Sequence, residues 1–429
     1  MTRFQRHLAA ATNPYNDLQI TSISSMSTPH DPLLRREAQA LAARLQRKVP
    51  AWHDAADLML PTRLALEQCS GGAAAAYKAE VVRRLTGGRG GSMADLTGGL
   101  GVDFVHLAPV FARATYVEQR DELVRAAHHN LPRLLPAEAD GGPCVTIVHG
   151  DGTAWIEAQN DVLDLLFLDP ARRDGTGRKT VALADCTPDV ERLMPMLRRH
   201  ARHVMVKLSP MLDISAAVRA LPAVTEVHVA GDGNECKELL LVIRGMADGD
   251  GNDSADNSAD DSAADIPTLY VADGGQRLTL PYDAEAQSVA TTAARPATYL
   301  YEPSAAVLKA GLFRWVSAHY GLDKLHPLTH LYTADRLVAP FPGRTFAVEG
   351  VHGFGKREVR QLVAAMPQAN LAVRHFPTPA ETLRRRFHLR DGGDHYWFAT
   401  TLADGSHALI VCRKVDHAAT ALDESPQRP

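Results

Sequence analysis

The chain has 429 residues, a hydrophobic fraction of 45% and a formal net charge of −4, enough for about two to four soluble domains. No apolar run approaches the ~20 residues of a membrane-spanning helix, and no apolar signal core follows the first arginines, which excludes a membrane protein and disfavours export. The five cysteines form no Cys-x-x-Cys pair, which argues against zinc and against a disulfide framework. We expect a cytoplasmic protein with no metal and no membrane partner.

The N-terminal part is predicted to be helical after a poorly ordered start. Residues 1–25 are polar and lack clear periodicity, and residues 1–32 are predicted to be poorly ordered. Apolar residues recur at helical spacing over 33–49 and 73–85. Residues 33–88 are therefore predicted to form a small helical module.

Strands and helices alternate over the next part of the chain. Alternation predicts a parallel, doubly wound sheet, with strands at 92–96, 114–118, 145–149, 164–168, 203–208, 225–229 and 238–243. Only residues 231–237 separate the last two strands, too few for a crossover helix, so the final strand should be antiparallel. We predict an α/β, Rossmann-like sheet of seven strands over residues 89–245, the class I methyltransferase arrangement.

The remainder is predicted to contain a linker and two further modules. Residues 246–265 hold seven Asp and no Lys or Arg, which is typical of a disordered linker. A helix is predicted over 304–319 within the mixed segment 266–343. Residues 344–415 are predicted to be a compact α/β module, followed by a disordered tail over 416–429.

The net charge is divided unevenly between these modules. Residues 344–415 carry eleven Lys/Arg against six Asp/Glu, a charge of +5, so the rest of the chain carries −9. A basic module on an acidic body fits an anionic macromolecular partner. A solvated surface without a partner is equally consistent with the charge alone.

An acid and a glycine-rich turn follow the first predicted strand. Asp95 is followed by Thr97, Gly98, Gly99 and Gly101. The turn lacks the third glycine of a dinucleotide fingerprint and the Gly-Lys-Ser/Thr ending of a triphosphate loop. A carboxylate repels phosphate and accepts from an amine, so S-adenosylmethionine fits better than a phosphate-bearing ligand. An ordinary tight turn is the alternative.

Acids also follow the second and third predicted strands. Glu118 lies 23 residues after Asp95, near the spacing of an acid that binds ribose hydroxyls. Asp151, followed by Gly152, could accept from the adenine amino group. A surface glutamate and a turn aspartate are the alternatives.

The fourth and fifth predicted strands supply candidate catalytic residues. Asp169, Pro170 and Arg172 follow the fourth strand, and Lys207 lies near the end of the fifth. The Asp169 carboxylate could accept from an exocyclic amine and draw a base nitrogen toward a methyl donor. Arg172 could pair with an anion or within the protein. No cysteine lies at 205–212, where methylation of pyrimidine C5 would need a nucleophile, so a nitrogen or oxygen acceptor is predicted.

Three arginines are candidates for binding RNA. Arg384, Arg385 and Arg386 precede Phe387 on a predicted helix of the basic module. Basic residues beside an aromatic suit phosphate contact and base stacking. A solvated helix face would give the same pattern.

Taken together, these motifs give the chain a family resemblance. It resembles a bacterial family of class I S-adenosylmethionine-dependent methyltransferases with a THUMP-like C-terminal domain. The resemblance is carried by Glu67-Gln-Cys69-Ser70, Asp95-Leu-Thr-Gly-Gly-Leu-Gly-Val-Asp103, Asp169-Pro-Ala-Arg-Arg173, Lys207-Leu-Ser-Pro210, Glu235-Cys-Lys-Glu238 and Tyr301-Glu-Pro-Ser304. It implies a ferredoxin-like segment at 266–343 and a THUMP-like module at 344–415. THUMP domains are associated with RNA, chiefly transfer RNA.

We therefore expect an S-adenosylmethionine-dependent enzyme that methylates a nitrogen, or an oxygen, of a tRNA or rRNA nucleotide. One alternative is a methyltransferase for a small molecule or protein, with the C-terminal module as a lid or dimer contact. Another is a non-catalytic RNA-binding protein with a vestigial donor pocket. The sequence leaves the nucleotide, the methylated atom and the oligomeric state open.

Overall fold

The computed structural model describes residues 32–55, 57–172, 183–246 and 266–415, without the side chains of 32–38 and 172. These residues divide into two compact units. The first unit holds 32–223 and 242–246, and the second holds 224–241 and 266–415. Apart from residues 32 and 246, the predicted N-terminal segment, acidic linker and tail lie outside the described residues.

The first unit begins with four helices. They are α1 (Pro32–Lys48), α2 (Pro50–Asp54), α3 (Arg63–Gln68) and α4 (Gly72–Leu85). The helices predicted at 33–49 and 73–85 are thus confirmed. Leu45, Trp52 and Leu66 are buried in a core that also contains Leu100 and Leu123, so the helices share a core with the α/β part of the same unit.

The α/β part of the first unit is a parallel sheet. Its strands are β1 (Gly90–Asp95), β2 (Phe111–Glu118), β3 (Cys144–His149), β4 (Leu163–Leu168) and β7 (Ala201–Leu208), in the order β7-β4-β1-β2-β3. All four neighbouring pairs are parallel. The short β5 (Ala171–Arg172) and β6 (Cys186–Thr187) pair separately. The helices between the strands are α5 (Val102–Leu107), α6 (Asp121–Leu134), α7 (Gly152–Glu157), α8 (Val190–His200) and α9 (Ile214–Ala220).

The burial of this sheet on both faces accounts for the apolar runs from which its strands were predicted. Buried parallel strands are near-continuous apolar runs because both faces are covered, and residues 165–168 of β4 are all buried. The carboxyl ends of parallel neighbours meet at one edge, so residues that follow these strands become neighbours in space.

The second unit begins with two hairpins. Strands β8 (Val224–Asp232) and β9 (Glu235–Arg244) are joined by Gly233 and Asn234, both with positive φ, so β9 runs antiparallel to β8 as predicted. Residues 242–244 of β9 group with the first unit. A second hairpin, β10 (Thr268–Asp273) and β11 (Gln276–Pro281), pairs with β8 through β10 in parallel.

The second hairpin adds two strands to the seven predicted over residues 89–245. All seven predicted strands are present, as β1–β4 and β7–β9, and β10 and β11 bring the sheet to nine strands in the described residues. The link between β10 and β11 is Gly274-Gly275, with φ of +55° and +88°. A Gly-Gly pair between two apolar runs is a hairpin signal, and the sequence interpretation did not use it.

The rest of the second unit forms a seven-stranded sheet. Its order is β13-β14-β12-β15-β18-β17-β16, with β12 (Tyr299–Pro303), β13 (Asp323–Lys324), β14 (Tyr332–Ala334), β15 (Gly343–His352), β16 (Asn370–Arg374), β17 (His395–Thr401) and β18 (His407–Lys414). The helices are α10 (Ala284–Gln287), α11 (Ala305–Lys309), α12 (Phe313–Tyr320), α13 (Lys356–Ala365) and α14 (Ala380–Phe387). Residues 343–414 contain β15, α13, β16, α14, β17 and β18, which agrees with the α/β module predicted over 344–415.

The single helix predicted over 304–319 is wrong. Two helices, α11 and α12, occupy this stretch, and Gly311 between them has a φ of +77°. A left-handed residue cannot continue a right-handed helix, and glycine adopts that conformation at low cost.

Among the described helices, none has the length and apolar character that crossing a bilayer requires.

Candidate active site

The predicted site residues of the first unit lie along one edge of its parallel sheet. Asp95 and Glu118 are the last residues of β1 and β2, and Asp169 directly follows β4. Lys207 is the penultimate residue of β7, and Asp151 lies two residues after β3. From the strand order, the edge carries Lys207, Asp169, Asp95, Glu118 and Asp151 in succession. This is the edge at which open α/β sheets bind ligands.

Asp95 is a buried carboxyl group without a cationic partner. Only 1% of the residue is exposed, and its Oδ1 accepts hydrogen bonds from the N and Oγ1 of Thr97 at 2.9 and 3.3 Å. Burial, reinforced by the nearby carboxylates of Asp103 and Asp169, raises the pKa of Asp95 to about 8. Within the described residues no lysine, arginine or histidine forms an ion pair with it. A cationic ligand group would supply the missing countercharge.

The glycine turn after β1 requires its glycines for two different reasons. A Cβ on Gly98 would lie 2.2 Å from the ring of Tyr116, so a side chain there would overlap the ring. Gly99 and Gly101 have φ values of +56° and +88°, in the left-handed region that favours glycine. The turn therefore passes directly over the end of β2 and leads into α5.

Two residues of β2 fasten this turn. The Glu118 Oε2 accepts from the N of Gly99 at 2.8 Å, and its Oε1 accepts from the N of Arg120 at 2.9 Å. The hydroxyl of Tyr116 donates to the O of Gly99 at 2.5 Å. Glu118 thus supports the turn. Each carboxylate oxygen can accept a second bond, and the predicted ribose contact of Glu118 stays a prediction.

Asp151 and Gly152 form the start of α7. The Asp151 Oδ1 accepts from the N of Ala154 at 2.9 Å, which is an N-cap. A Cβ on Gly152 would lie 2.2 Å from the O of Leu96, so glycine allows α7 to begin against the residue that follows β1. The cap accounts for one oxygen of Asp151, and the predicted adenine contact stays a prediction.

The predicted catalytic residues are linked to the glycine turn. The N of Asp169 donates to the Oγ1 of Thr97 at 2.7 Å, and the Lys207 Nζ donates to the Oδ2 of Asp169 at 2.5 Å. Pro170 is buried. The backbone of Arg172 lies in β5, whereas its side chain and all of Arg173 lie outside the described structure.

Three residues at this edge were absent from the sequence-predicted site. Lys78, Ser70 and Asp103 are all buried and contact one another. Asp103 and Ser70 stood in the motifs of the family resemblance, which was the available signal. Lys78 lies in an alanine-rich helical run, where a charged residue among apolar neighbours was the clue.

A cysteine also lies near this cluster. The Sγ of Cys69 donates to the O of Leu66 at 3.3 Å. Burial raises the pKa of the Cys69 thiol, Lys48 opposes this shift, and the carboxylates of Asp103 and Asp169 add to it. A thiol with a raised pKa is a poor nucleophile near neutral pH because little thiolate is present.

The three candidate RNA-binding arginines differ in their surroundings. Arg384 forms ion pairs with Glu381 at 3.2 Å and Asp391 at 2.9 Å, and its side chain is 27% exposed. Arg385 is 74% exposed and lies 3.8 Å from Glu381. Arg386 is exposed.

Within the described residues, no cluster of three or more His, Cys, Asp or Glu side chains could hold a metal.

A parallel sheet with acids at its strand ends, a glycine turn after β1 and an antiparallel β9 defines a class I methyltransferase fold. The comparisons agree with this class. A crystal structure named "putative methyltransferase" from Porphyromonas gingivalis W83 has a TM-score of 0.77 and 31% identity, covering 92% of this chain and 95% of that one. The chain belongs to the same family, the S-adenosylmethionine-dependent methyltransferases with a THUMP-like C-terminal domain.

Further matches agree with this assignment. Two Mycobacterium tuberculosis proteins, from strains CDC 1551 / Oshkosh and ATCC 25618 / H37Rv, are each named an uncharacterized S-adenosylmethionine-dependent methyltransferase. Each is 28% identical over 357 residues, covering 81% of this chain and 87% of the relative. Family models of a ferredoxin-like domain and a THUMP-like domain match residues 299–342 and 343–414.

Proposed function

We propose that this chain transfers the methyl group of S-adenosylmethionine to a nitrogen or oxygen of an RNA nucleotide, in tRNA or rRNA. The observation that carries the transferase part is the edge that joins Asp95, the glycine turn and the Asp169–Lys207 pair. The family match supports the same chemistry. The RNA part is supported by the THUMP-like match at 343–414 and by the +5 charge of residues 344–415.

The donor-binding proposal rests on the chemistry of Asp95 and the turn. Asp95 is buried without a cation and has a raised pKa, which fits the amino end of the donor's amino-acid tail. Gly99 and Gly101 keep the turn free of side chains where the ligand would lie. We propose that Glu118 also accepts from ribose hydroxyls and that Asp151, with Gly152 beside it, accepts from the adenine amino group.

The acceptor-side proposal rests on Asp169 and Lys207. When bound, S-adenosylmethionine supplies an electrophilic methyl group on a cationic sulfonium. The Asp169 carboxylate would accept from an exocyclic amine or hydroxyl and orient its lone pair toward that methyl. The Lys207 Nζ, 2.5 Å from the Oδ2 of Asp169, would fix the orientation of that carboxylate. Pro170 would restrict the backbone of the loop, and Arg172 would contact an anionic part of the acceptor.

A carbon acceptor is less well supported than nitrogen or oxygen. Methylation of pyrimidine C5 proceeds through attack by a thiolate. The pKa of the Cys69 thiol is influenced by Asp169 and Lys207, and burial raises that pKa. The thiol would therefore remain protonated, whereas transfer to nitrogen or oxygen requires no covalent step.

The test combines donor binding with methyl transfer. Calorimetry should show S-adenosylmethionine binding to the wild type and to Asp169→Ala with affinities within about tenfold, because Asp169 acts on the acceptor. Labelled methyl should enter RNA extracted from a strain deleted for this gene, with nucleoside analysis identifying the product. Asp169→Ala should lose this transfer. Donor binding without transfer to RNA would favour a small-molecule or protein acceptor, and absence of donor binding would overturn the proposal.

A further inference from the structure

A chain of charged side chains connects the N-terminal helices to the proposed acceptor site. Lys78 of α4 is fully buried, and its Nζ lies 3.1 Å from the Oδ1 of Asp103 in α5. The Asp103 Oδ2 accepts from the Oγ of Ser70 at 2.7 Å and lies 3.7 Å from the Nζ of Lys207. Lys207 in turn donates to Asp169 at 2.5 Å. Lysine and aspartate thus alternate from α4 to the loop after β4.

Asp103 is the centre of this arrangement. Burial alone would raise its pKa, but Lys78, Lys207 and the hydrogen bond from Ser70 hold the pKa of Asp103 below its ordinary value. The carboxylate is therefore ionised, with one oxygen beside Lys78 and the other beside Ser70 and Lys207. Both oxygens are fixed by groups that are themselves buried.

The need of the buried Lys78 for a countercharge does not account for the contact between Asp103 and Lys207. One carboxylate satisfies the charge of Lys78, and that pair is complete without β7. Lys207, however, lies between Asp103 and Asp169, which belong to different elements, so its ammonium is held from two sides. A side chain as long as lysine has many rotamers, and two carboxylates restrict it to a position against Asp169.

We propose that Asp103 is a positioning residue for methyl transfer, which is oriented by Lys78 and Ser70 and which holds the Lys207 side chain against Asp169. The proposal rests on the proposed function, in which Asp169 and Lys207 act on the acceptor. It assigns the helices α3 and α4 a part in the chemistry, because Ser70 follows α3 and Lys78 belongs to α4.

The test uses a charge-balanced double variant. Asp103→Asn alone leaves Lys78 buried without a carboxylate, which is strongly destabilising. Lys78→Met combined with Asp103→Asn removes one charge of each sign and retains an acceptor for Ser70. Ser70→Ala is the matched milder variant, because it removes one hydrogen bond to Asp103 and no charge. Thermal unfolding first establishes that each variant is folded.

Four measurements follow on the folded variants. S-adenosylmethionine affinity of the double variant should stay within about threefold of wild type, while kcat on RNA from the deletion strain falls at least about tenfold at nearly constant KM. Trace acetylation followed by mass spectrometry should show a lower pKa for Lys207, because a neighbouring carboxylate has been removed, with the exposed Lys356 unchanged as an internal control. The basic limb of the pH–rate profile should move the same way. Ser70→Ala should show a smaller change in the same direction.

The outcomes separate this inference from the proposed function. An unchanged Lys207 pKa and kcat in the folded double variant would mean that the Lys78–Asp103 pair is only structural, and would overturn the inference. If the wild type transfers no methyl to RNA but the pKa of Lys207 falls in the double variant, the RNA assignment fails and the positioning of Lys207 by Asp103 stands.

Discussion

The side-chain hydroxyl of Thr97 accepts a hydrogen bond from the backbone N–H of Asp169 at 2.7 Å. The same hydroxyl donates to Asp95 at 3.3 Å. Thr97 therefore joins the turn proposed to bind the donor to the loop proposed to bind the acceptor. For a methyl transfer that depends on in-line positioning, a fixed distance between these two segments is what the protein has to provide.

We expect Thr97→Val to uncouple these segments. The substitution keeps the side-chain shape and removes both hydroxyl bonds, at about 1 kcal/mol each in stability. It also leaves the N–H of Asp169 without its partner. Methyl transfer should fall by more than about tenfold, measured under single turnover with saturating donor.

Thr97→Ser is the matched control, because serine retains the hydroxyl. It should keep most of the activity and most of the thermal stability. Equal transfer rates for the valine variant and the wild type would show that the Thr97–Asp169 bond does not position the loop.

Asp95 should make both stability and donor binding depend on pH. Its folded pKa of about 8 lies above the ordinary value of 3.8, so the folded state retains a proton that the unfolded state releases. Stability should therefore fall as pH rises from about 4 through 8. Asp95→Asn abolishes this titration, and the melting temperature of the variant relative to wild type should rise steadily over that range.

Donor binding gives the opposite trend. If the donor's ammonium pairs with ionised Asp95, binding below about pH 8 must release the carboxyl proton, so affinity should increase as pH rises toward 8. Calorimetry of S-adenosylmethionine binding near pH 7 in two buffers of different ionisation enthalpy measures this proton. Asp95→Asn should bind weakly and release less. Equal proton release in both proteins would contradict the proposed pairing.

The glycine turn provides a comparison between steric overlap and backbone strain. Gly98→Ala places a Cβ 2.2 Å from the Tyr116 ring, whereas Gly99→Ala meets nothing nearer than 3.6 Å but has a φ of +56°. Gly87→Ala, with a φ of +65° and no atom within 4 Å, measures strain alone, at roughly 1–2 kcal/mol.

The free energy of unfolding should be lower for Gly98→Ala than for Gly99→Ala, and it should be similar for Gly99→Ala and Gly87→Ala. Donor affinity should fall for Gly98→Ala and Gly99→Ala and stay unchanged for Gly87→Ala. Loss of donor binding in the Gly87 variant as well would indicate a global effect on the fold and contradict a specific role of the turn in donor binding.

The sequence predicted which residues lie at the carboxyl edge of the parallel sheet, but it did not predict the side-chain contacts among the residues of the site. The difference has a physical reason. Parallel buried strands are apolar runs that end where polar residues begin, so Asp95, Glu118 and Asp169 were visible as strand-end acids. The Lys78–Asp103 contact joins residues from two helices with no shared period or motif spacing. Such contacts arise from packing, and only the folded structure reveals them. Similarly, the N-cap role of Asp151 and the ion pairs of Arg384 required the geometry of their own helices.

The arginines of α14 give the last prediction, which concerns the RNA partner. Arg384 pairs with Glu381 and Asp391, whereas Arg385 and Arg386 are exposed. We therefore expect Arg385→Glu with Arg386→Glu to weaken binding of bulk transfer RNA. Each lost phosphate contact should reduce the log–log salt slope by roughly 0.7–0.9. Arg384→Ala should instead lower stability, because it leaves Glu381 and Asp391 without this partner.

The control is a second double variant, Arg83→Glu with Arg113→Glu. It makes the same charge change at exposed residues of the first unit. Titration of transfer RNA at several salt concentrations should then give a reduced slope for the α14 variant and a wild-type slope for the control. S-adenosylmethionine affinity should be equal in all three proteins, because neither pair of arginines belongs to the donor site. Equal slopes for both variants and the wild type would mean that α14 presents a solvated face. A small-molecule or protein acceptor would then become the better account of the enzyme, since the charge of the THUMP-like module would no longer point to RNA.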